Sequence, residues 1–244
     1  MDTGLYVAAS GGLQKIDWLD AHSNNMANIN VPGFKRDFQV YELFAAKAQE
    51  GTLNAGQGLP TNAFPKTVNV FTDYSQGQIK STNNQYDVAL SGQGFFAVET
   101  EGGLRYTRKG DFIVNANGEL STKKGYAVMG EAGVIKLTSN DVNIDKKGVV
   151  TEGGKEKGIL KVVTFKEPFA LKKIGEGLYV PLSPDVEELE TKNTTVLQGN
   201  LEMSNASIVE EMVSMITALR SYETHMKLIK GFDEITDKAV SLNR

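Results

Sequence analysis

Residues 22–36, HSNNMANINVPGFKR, place four asparagines within seven positions, shortly before a proline and a glycine. Asparagine side chains compete for backbone hydrogen bonds, so asparagine is disfavoured inside helices and favoured at caps and turns. The residues before this stretch have helical periodicity, and Pro32–Gly33 would interrupt a helix. The sequence therefore predicts that a helix ends here and passes into a different kind of structure.

The asparagines indicate a specific role at this boundary. Asn24 and Asn28 lie four residues apart and would share one helix face. We expect their amides to satisfy the last backbone carbonyls of the helix, or polar groups on a neighbouring subunit. The alternative is an ordinary asparagine-rich helix end with no intersubunit role. Phe34 is expected to anchor the following segment by apolar contacts.

The helix before this boundary is predicted from about residue 4 to residue 28. Gly11 and Gly12 are poor helix formers. They mark either a break in the helix or a place where a second helix approaches closely. The apolar stripe of this helix consists of Leu5, Ala9, Gly12, Ile16, Leu19 and Met26.

A second long helix is predicted at the other end of the chain, capped by Ser204 or Asn205. Its apolar positions follow the spacing of a heptad seam, and after Ile229 the pattern shifts by three residues. A helix of roughly 38 residues would be ~57 Å long, so it needs a partner along its length. The seam consists of Ile208, Met212, Met215, Leu219, Tyr222, Met226 and Ile229, and it continues as Phe232, Ile235, Ala239 and Leu242.

Between the two helices the pattern is that of β-structure. From about residue 67 to residue 183, short β-prone runs alternate with turn residues. NANG (115–118) and DKKG (145–148) are typical of hairpin turns. Residues 45–66 are predicted to be rich in loops.

These patterns predict an α+β fold in which the N- and C-terminal helices pair as a discontinuous coiled-coil module, with an all-β domain inserted between them. We expect residues 1–34 and 200–244 to form the helical assembly module. Residues 35–75 and 188–199 are predicted to be extended linkers, and residues 76–187 a β-rich outer domain. A pair of helices leaves apolar surface exposed, and we interpret the heptad seam as an oligomerisation surface.

Composition excludes several classes of function. The net charge of −4 provides no basic surface for nucleic acid, and no apolar run approaches the length of a membrane span. The chain has no cysteine, so thiol chemistry and disulfides are absent. His22 and His225 fall in different helices and build no catalytic triad. We expect no catalysis, no metal, no cofactor and no small-molecule substrate.

Four stretches then carry a family resemblance. Residues 23–36 resemble the N-terminal motif of bacterial flagellar axial proteins, the rod and hook family, through Asn25, Ala27, Asn28, Gly33, Phe34 and Lys35. Val31 departs from that motif, where the family has threonine. Residues 199–235 resemble the C-terminal motif of the same family through Gly199, Leu201, Glu202, Ser204, Asn205, Met215, Ile216, Arg220, Tyr222 and Glu223. Residues 86–98 and 105–130 resemble its β domain.

The resemblance implies a structural subunit of the flagellar basal-body rod that assembles helically with copies of itself and other axial proteins and transmits motor torque. It implies terminal helices that become ordered on assembly, and a place in the proximal section of the rod, with the distal section as the alternative. It also implies a periplasmic location and passage through the flagellar type III export apparatus without a cleavable signal peptide. The start of the sequence, which lacks a basic segment, agrees with that route.

Two sets of residues are expected to make assembly contacts. At the N-terminal end they are Asn24, Asn25, Ala27, Asn28, Gly33, Phe34 and Lys35. In the C-terminal helix they are Leu201, Ser204, Asn205, Ile208, Met212, Met215, Leu219, Arg220, Tyr222, Glu223, Met226 and Ile229. A secreted β-domain enzyme or binding module with helical oligomerisation arms is the alternative from a different class of protein.

Overall fold

A computed structural model of the chain describes residues 2–45, 63–139, 141–166, 170–191 and 193–241. It confirms the predicted α+β class, with a helix at each end and a β-rich middle. The helices are α1 (Asp2–Ala27) and α2 (Ile208–Ser241). The strands are β1 (Asp37–Ala45), β2 (Ala63–Thr72), β3 (Ile79–Ser81), β4 (Val88–Ser91), β5 (Phe95–Thr100), β6 (Gly103–Thr107), β7 (Phe112–Val114), β8 (Leu120–Thr122), β9 (Ala127–Gly130), β10 (Gly133–Val134), β11 (Val142–Ile144), β12 (Val149–Glu152), β13 (Lys155–Ile159), β14 (Val162–Phe165), β15 (Leu171–Gly175), β16 (Leu178–Pro181), β17 (Glu188–Glu190), β18 (Thr195–Gln198) and β19 (Asn200–Glu202).

The chain divides into two compact units, and each unit is discontinuous in sequence. The first unit comprises residues 1–27, 37–71 and 207–244, so it contains both helices and most of the β1–β2 pair. The second unit comprises residues 28–36 and 72–206, so it contains the β body together with the short segment that follows α1. The chain therefore passes between the units four times.

In the first unit, α1 is continuous through Gly11 and Gly12, so the alternative of a helix break there is wrong. These glycines lie where α2 approaches. A Cβ atom added to Gly11 would lie 2.6 Å from Cε1 of His225, and one added to Gly4 would lie 3.0 Å from Cζ of Phe232. The absence of side chains on α1 thus makes room for large side chains on α2.

The start of α2 differs from the prediction. The helix begins at Ile208, and the N–H group of Glu211 donates to the carbonyl oxygen of Ser207 at 2.9 Å, so Ser207 occupies the capping position. A cap at Ser204 or Asn205 is wrong because α2 begins only at Ile208, with Ser207 directly before it. Glu210 and Glu211 place negative charge in the first turn, where the helix dipole favours it.

The second unit is built from antiparallel sheets. The strand order of the largest sheet is β15-β16-β6-β5-β9-β8-β7, and β14 adds to it by pairing with β5 and β17. A three-stranded sheet, β11-β12-β13, and the pairs β18-β4 and β19-β3 complete the body.

Both predicted hairpin turns are confirmed. At the first turn the side-chain oxygen of Asn115 accepts backbone N–H groups, and Gly118 has a positive φ. At the second turn a carboxylate oxygen of Asp145 accepts backbone N–H groups, and Gly148 has a positive φ.

Strand β5 explains how the body forms two apolar cores. Side chains alternate across a strand, and accordingly Phe96 and Val98 pack into one core while Phe95 and Ala97 pack into the other. Both faces of the strand are therefore covered, which accounts for its unbroken apolar run FFAV. The second core is aromatic, with the rings of Phe95 and Tyr179 5.4 Å apart. Burying each such large side chain contributes roughly 1.5–3 kcal/mol.

Two segments predicted as linkers carry paired strands. Residues 188–199 contain β17 and β18, and β18 pairs with β4 in a way that buries Val196. Residues 35–75 contain β1 and β2, which form a two-stranded sheet. In these short stretches, turn-forming residues conceal the alternation of apolar residues that would predict strands. Most of the predicted loop 45–66 lies outside the described residues.

One buried carboxylate gives the body a defined acid sensitivity. Lys157 donates to Glu152 at 2.7 Å, and the N–H groups of Ser139 and Thr138 also donate to this carboxylate. These interactions hold the pKa of Glu152 at about 2, well below the ordinary value of 4.5. Because the folded pKa is depressed, the stabilisation is present above pH 4.5 and is lost as the pH falls through about 2.

We predict that Glu152→Gln lowers the urea midpoint of the body at pH 7, and that the difference from the unmodified protein shrinks between pH 4.5 and pH 2. Urea unfolding monitored by circular dichroism at several pH values measures both. Glu156→Gln, at an exposed position of the neighbouring strand β13, is the control and should change little at any pH. A difference that persists at pH 2 would contradict the assignment.

Candidate functional site: the two terminal motifs

The N-terminal motif is divided between the two units. Asn24, Asn25 and Ala27 lie in the last turns of α1, whereas Asn28, Gly33, Phe34 and Lys35 belong to the segment 28–36 in the second unit. Since α1 ends at Ala27, the helix stops before Pro32, and the N–H group of Val31 donates to the carbonyl oxygen of Asn28 at 3.1 Å in the turn that follows. The motif thus marks a passage from helix to β body.

The end of the N-terminal motif and the start of the C-terminal motif meet in the second unit. The N–H group of Gly33 donates to the carbonyl oxygen of Glu202 at 2.7 Å. The N–H group of Arg36 donates to Oδ1 of Asn205 at 2.8 Å. Residues that are more than 160 positions apart in sequence therefore bind each other directly. We call Gly33, Phe34, Lys35, Arg108, Glu202 and Asn205 the motif cluster.

Three buried charges form the centre of the motif cluster. Glu202 accepts from Nζ of Lys35 at 2.6 Å and from Nε of Arg108 at 2.9 Å. The N–H group of Gly77 is a third donor to this carboxylate, at 2.9 Å. The side chains of Lys35 and Glu202 are each 1% exposed and that of Arg108 is 4% exposed. One carboxylate thus serves two cations from distant parts of the chain.

The surplus positive charge is stabilised by backbone carbonyl groups. Lys35 also donates to the carbonyl oxygen of Ser75 at 2.6 Å, and Arg108 donates to those of Gly94 at 2.5 Å and Gly92 at 2.7 Å. Burial lowers the pKa of Lys35 and that of Arg108, and the nearby Glu202 carboxylate offsets this only in part. Burying charges is costly unless they are paired, so Glu202 is essential to this arrangement.

Asn205 links the motif cluster to Asp73, the residue that follows β2. Its Nδ2 atom donates to the carbonyl oxygen of Asp73 at 2.8 Å. Asp73 in turn accepts from Nε of Arg36 at 3.1 Å. Burial raises the pKa of Asp73, but the hydrogen bonds from Ser75 and Arg36 outweigh it, so the net pKa is lowered. One amide side chain therefore ties together three separate segments of the second unit.

Gly33 and Phe34 fit the motif cluster for steric reasons. Gly33 has a φ of 65°, and a Cβ atom there would lie 2.4 Å from the backbone carbon of Arg108. Only glycine satisfies both the left-handed conformation and this close approach. Phe34 is 5% exposed, and Nζ of Lys173 lies 3.9 Å from the centre of its ring. The expected anchoring by Phe34 is therefore a contact within the β body.

A second polar group lies in the first unit, between α1 and α2. Asn25 is 1% exposed, and its amide exchanges two hydrogen bonds with the backbone of Asp37, at 2.8 and 2.9 Å. Glu211, which is 2% exposed, accepts from Nδ1 of His22 and, at 3.4 Å, from Nδ2 of Asn25. We call His22, Asn25 and Glu211 the polar layer.

The other residues expected to make assembly contacts lie in varied surroundings. Asn24, Ala27, Ile208, Met212, Leu219, Arg220 and Glu223 are exposed, and Asn28, Leu201, Met215, Tyr222, Met226 and Ile229 are partly exposed. Leu201 lies on β19 and Ser204, which is buried, precedes α2, so neither is part of the C-terminal helix. Their role in contacts between subunits stays a prediction.

Sequence does not predict that Arg108 and Glu211 are buried, because long charged side chains usually lie at the surface. The contact of His22 with Glu211 is likewise not predicted, although His22 is placed in the N-terminal helix. The only available signal for Arg108 was its place in the stretch RYTRKGDF, which resembles the family β domain.

The described residues hold no group of three or more His, Asp or Glu side chains placed to share a metal ion. Neither described helix is long and apolar enough to cross a membrane.

Comparison with known proteins agrees with this geometry. Residues 197–242 match the model of the flagellar basal body rod FlgEFG protein C-terminal family, and residues 89–152 match that of the flagellar hook protein FlgE/F/G D1 domain. The chain therefore contains two segments that match those of flagellar rod and hook proteins, the C-terminal segment and the D1 domain. The C-terminal match includes Glu202 and Asn205, and the D1 match includes Arg108.

Full-length relatives define the family more closely. The chain is 33% identical to the flagellar basal-body rod protein FlgG of Buchnera aphidicola, over 99% of this chain and 100% of the relative. It is 32% identical to the flagellar basal-body rod protein FlgF of Caulobacter vibrioides, over 98% of this chain and 97% of the relative. It is 32% identical to FlgG of Borreliella burgdorferi, over the full length of both. This chain belongs to the family of flagellar basal-body rod proteins, with a structural role in the flagellum.

We predict that Glu202→Gln destabilises the body by about 3–5 kcal/mol, because it leaves two buried cations without their anion. Lys35→Met should cost less, since Glu202 keeps Arg108 and the N–H group of Gly77. Urea unfolding of the full chain measures both. Glu190→Gln, at an exposed position of β17, is the matched control. Equal losses for Glu202→Gln and Glu190→Gln would show that the cluster contributes nothing to stability.

We also predict that Gly33→Ala destabilises the body far more than Gly154→Ala. Both glycines have a positive φ, 65° and 78°, but only Gly33 has backbone atoms where the new Cβ would lie. The comparison therefore separates steric collision from conformational strain, which costs about 1 kcal/mol on its own. Thermal unfolding of the two variants is the measurement. Similar losses in both would mean that the approach of Arg108 is unimportant.

Proposed function

We propose that this chain is a subunit of the proximal section of the flagellar rod, and that its terminal helices pack as coiled coils against those of neighbouring axial proteins. Family membership gives the coarser statement, a structural protein of the basal body that assembles with other rod and axial proteins. A structural family also implies that the protein is not an enzyme. The proposed packing against neighbouring subunits rests on the helices, and the proposed proximal position rests on sequence.

The observation that carries the proposal is the open apolar face of α2. Its members are exposed on the helix surface although they are large and apolar: Val209 is 70% exposed, Met212 47%, Val213 58%, Ile216 48% and Leu219 47%. We call these five residues the apolar stripe. They recur at intervals of one, three and four residues and so share one side of the helix. Contiguous apolar surface of this kind marks a site of protein association.

The proximal position rests on sequence. Residues 87–98, 128–137 and 226–230 resemble the proximal rod subunit more than the distal one. The length of the chain also groups it with FlgF. The alignment with the Caulobacter FlgF spans 243 positions, close to the 244 residues of this chain. The alignments with the two FlgG relatives are longer, at 264 and 272 positions. Those FlgG relatives therefore carry insertions that this chain lacks.

The remaining parts of the proposal concern the route to the rod. We propose that the chain crosses the inner membrane through the flagellar type III export apparatus and takes its place in the periplasmic space. The absence of cysteine from the sequence supports this, because a chain without cysteine cannot be cross-linked by disulfides before it assembles.

Electron cryotomography of cells lacking the gene tests the position in the rod. A rod that stops near the inner-membrane ring supports the proximal section. A rod that keeps its proximal part and stops short of the hook favours the distal section. Intact flagella would overturn the proposal.

We predict that Met212→Gln/Ile216→Gln abolishes motility when it replaces the native protein, because both changes place polar groups in the apolar stripe. The purified variant should unfold within about 0.5 kcal/mol of the native chain, as expected for surface positions. Swimming assays and urea unfolding are the measurements. Lys227→Gln, an exposed position of the same helix, is the control and should leave cells motile. Normal motility of the double variant would contradict a role for the stripe.

A further inference from the structure

The β body is closed by the last segment that enters it. We call residues 195–206, which carry β18 and β19, the closing segment. Strand β18 pairs with β4, and β19 pairs with β3. The N–H group of Val196 also donates to the carbonyl oxygen of Lys146 at 3.0 Å, and that of Gly199 donates to the carbonyl oxygen of Asp87 at 2.8 Å. A short stretch therefore holds together parts of the body that are far apart in sequence.

The side chains of the closing segment extend this role. The Nε2 atom of Gln198 donates to the carbonyl oxygens of Gln85 and Val142, at 2.9 and 2.8 Å. Its Oε1 atom accepts from the N–H group of Ile144 at 3.0 Å. Val196 is buried and belongs to the first apolar core. Without the closing segment, these backbone groups lose their partners and the first core is incomplete.

The buried charges restrict the order in which these parts can come together. Lys35 and Arg108 are almost fully buried, and the carboxylate that both of them bind belongs to Glu202 in the closing segment. Burying either cation before this carboxylate arrives carries the full free-energy cost of an unpaired buried charge. The rest of the body therefore cannot close favourably around Lys35 and Arg108 until the closing segment joins.

No other carboxylate of the described residues forms a hydrogen bond with Lys35 or Arg108. Asp73 also favours the charged form of Lys35, but it contributes least among the groups that shift the pKa of Lys35. The carboxylate of Asp73 is itself hydrogen-bonded to Arg36 and to the N–H group of Ser75. The closing segment thus supplies the negative charge that the burial of the two cations requires.

We infer that the closing segment docks in the rate-limiting step of folding, so that the β body does not form before residues 195–206 have joined it. In chain order this segment is the last part of the body. An N-terminal portion of the chain, as synthesis or passage through a channel presents it, therefore contains no folded body. The relevance to export rests on the proposed function, in which the chain passes through the type III apparatus, whereas the order of folding does not depend on it.

A disulfide that attaches the closing segment in advance tests this order. Ser81 and Asn200 are partners across β3 and β19. The adjacent pair, Thr82 and Gly199, is hydrogen-bonded at 2.8 Å, so Ser81 and Asn200 form a non-hydrogen-bonded pair, whose Cα spacing suits a disulfide. The native chain has no cysteine, so the full-length Ser81→Cys/Asn200→Cys protein can form this disulfide alone.

We expect the oxidised protein to refold at least tenfold faster than the same protein in its reduced form, which is the matched control. The disulfide removes the entropy cost of closing a long loop before the rate-limiting step. The unfolding rate should change less than threefold, because the segment is already docked in the transition state. Stopped-flow circular dichroism over a range of urea concentrations measures both rates, and brief unfolding before each refolding run keeps the prolines in their native isomers.

A second variant tests the role of the buried charges. Glu202→Gln should slow refolding at least tenfold and accelerate unfolding by a smaller factor, since the interactions of this carboxylate are present in the transition state. Glu190→Gln, at an exposed position of β17, is the control and should refold at the native rate. The disulfide measurement uses a stabilised protein and decides the question even where Glu202→Gln is too unstable to fold.

Two results would overturn this order of folding. One is equal refolding rates of the oxidised and reduced forms, with slower unfolding of the oxidised form. The other is refolding of Glu202→Gln at the native rate, with faster unfolding. Either would show that the body forms first and that the closing segment docks on it afterwards. Both measurements use purified protein and are independent of where the rod stops in cells lacking the gene, so the order of folding and the proposed function can fail separately.

Discussion

The buried carboxylate of Glu202 is the interaction on which the body depends. It accepts from Lys35, which follows α1 by eight residues, and from Arg108, which lies in the middle of the body, while its own backbone carbonyl accepts from Gly33. Because both cations are almost fully buried, the free-energy cost of separating them from Glu202 is large. The β body is therefore complete only when the segments before and after it are present.

This requirement gives the terminal motifs a structural meaning. In the second unit, residues 28–36 directly follow α1 and residues 199–206 directly precede α2, and the motif cluster binds these two segments together. The chain segments that lead out of α1 and into α2 are thus joined by one network of hydrogen bonds and buried charges.

The sequence predicts the helices and hairpin turns, but not the long-range contacts between buried polar side chains. Periodicity predicted both helices, and turn residues predicted the hairpins at Asn115–Gly118 and Asp145–Gly148, because these signals are local. It missed Arg108 and Glu211 as buried residues, because charge alone points to the surface. The hypothesis for Asn24 and Asn28 focused on the helix end, whereas Asn25 is the buried amide that binds the backbone of Asp37. Long-range partners of this kind leave no local trace.

The two helices show why hydrophobicity can mislead about which partner a helix face meets. The face of α2 that meets α1 has a partner in the same chain that is always present, so close contacts and a few hydrogen bonds suffice there, as at Gly11 and Glu211. The face used between subunits must attract partners that are not covalently linked, so it needs more apolar area. On α2 the more apolar face is indeed the open one. Apolar patterning alone therefore does not identify the face of α2 that α1 covers, because that face includes the buried carboxylate of Glu211.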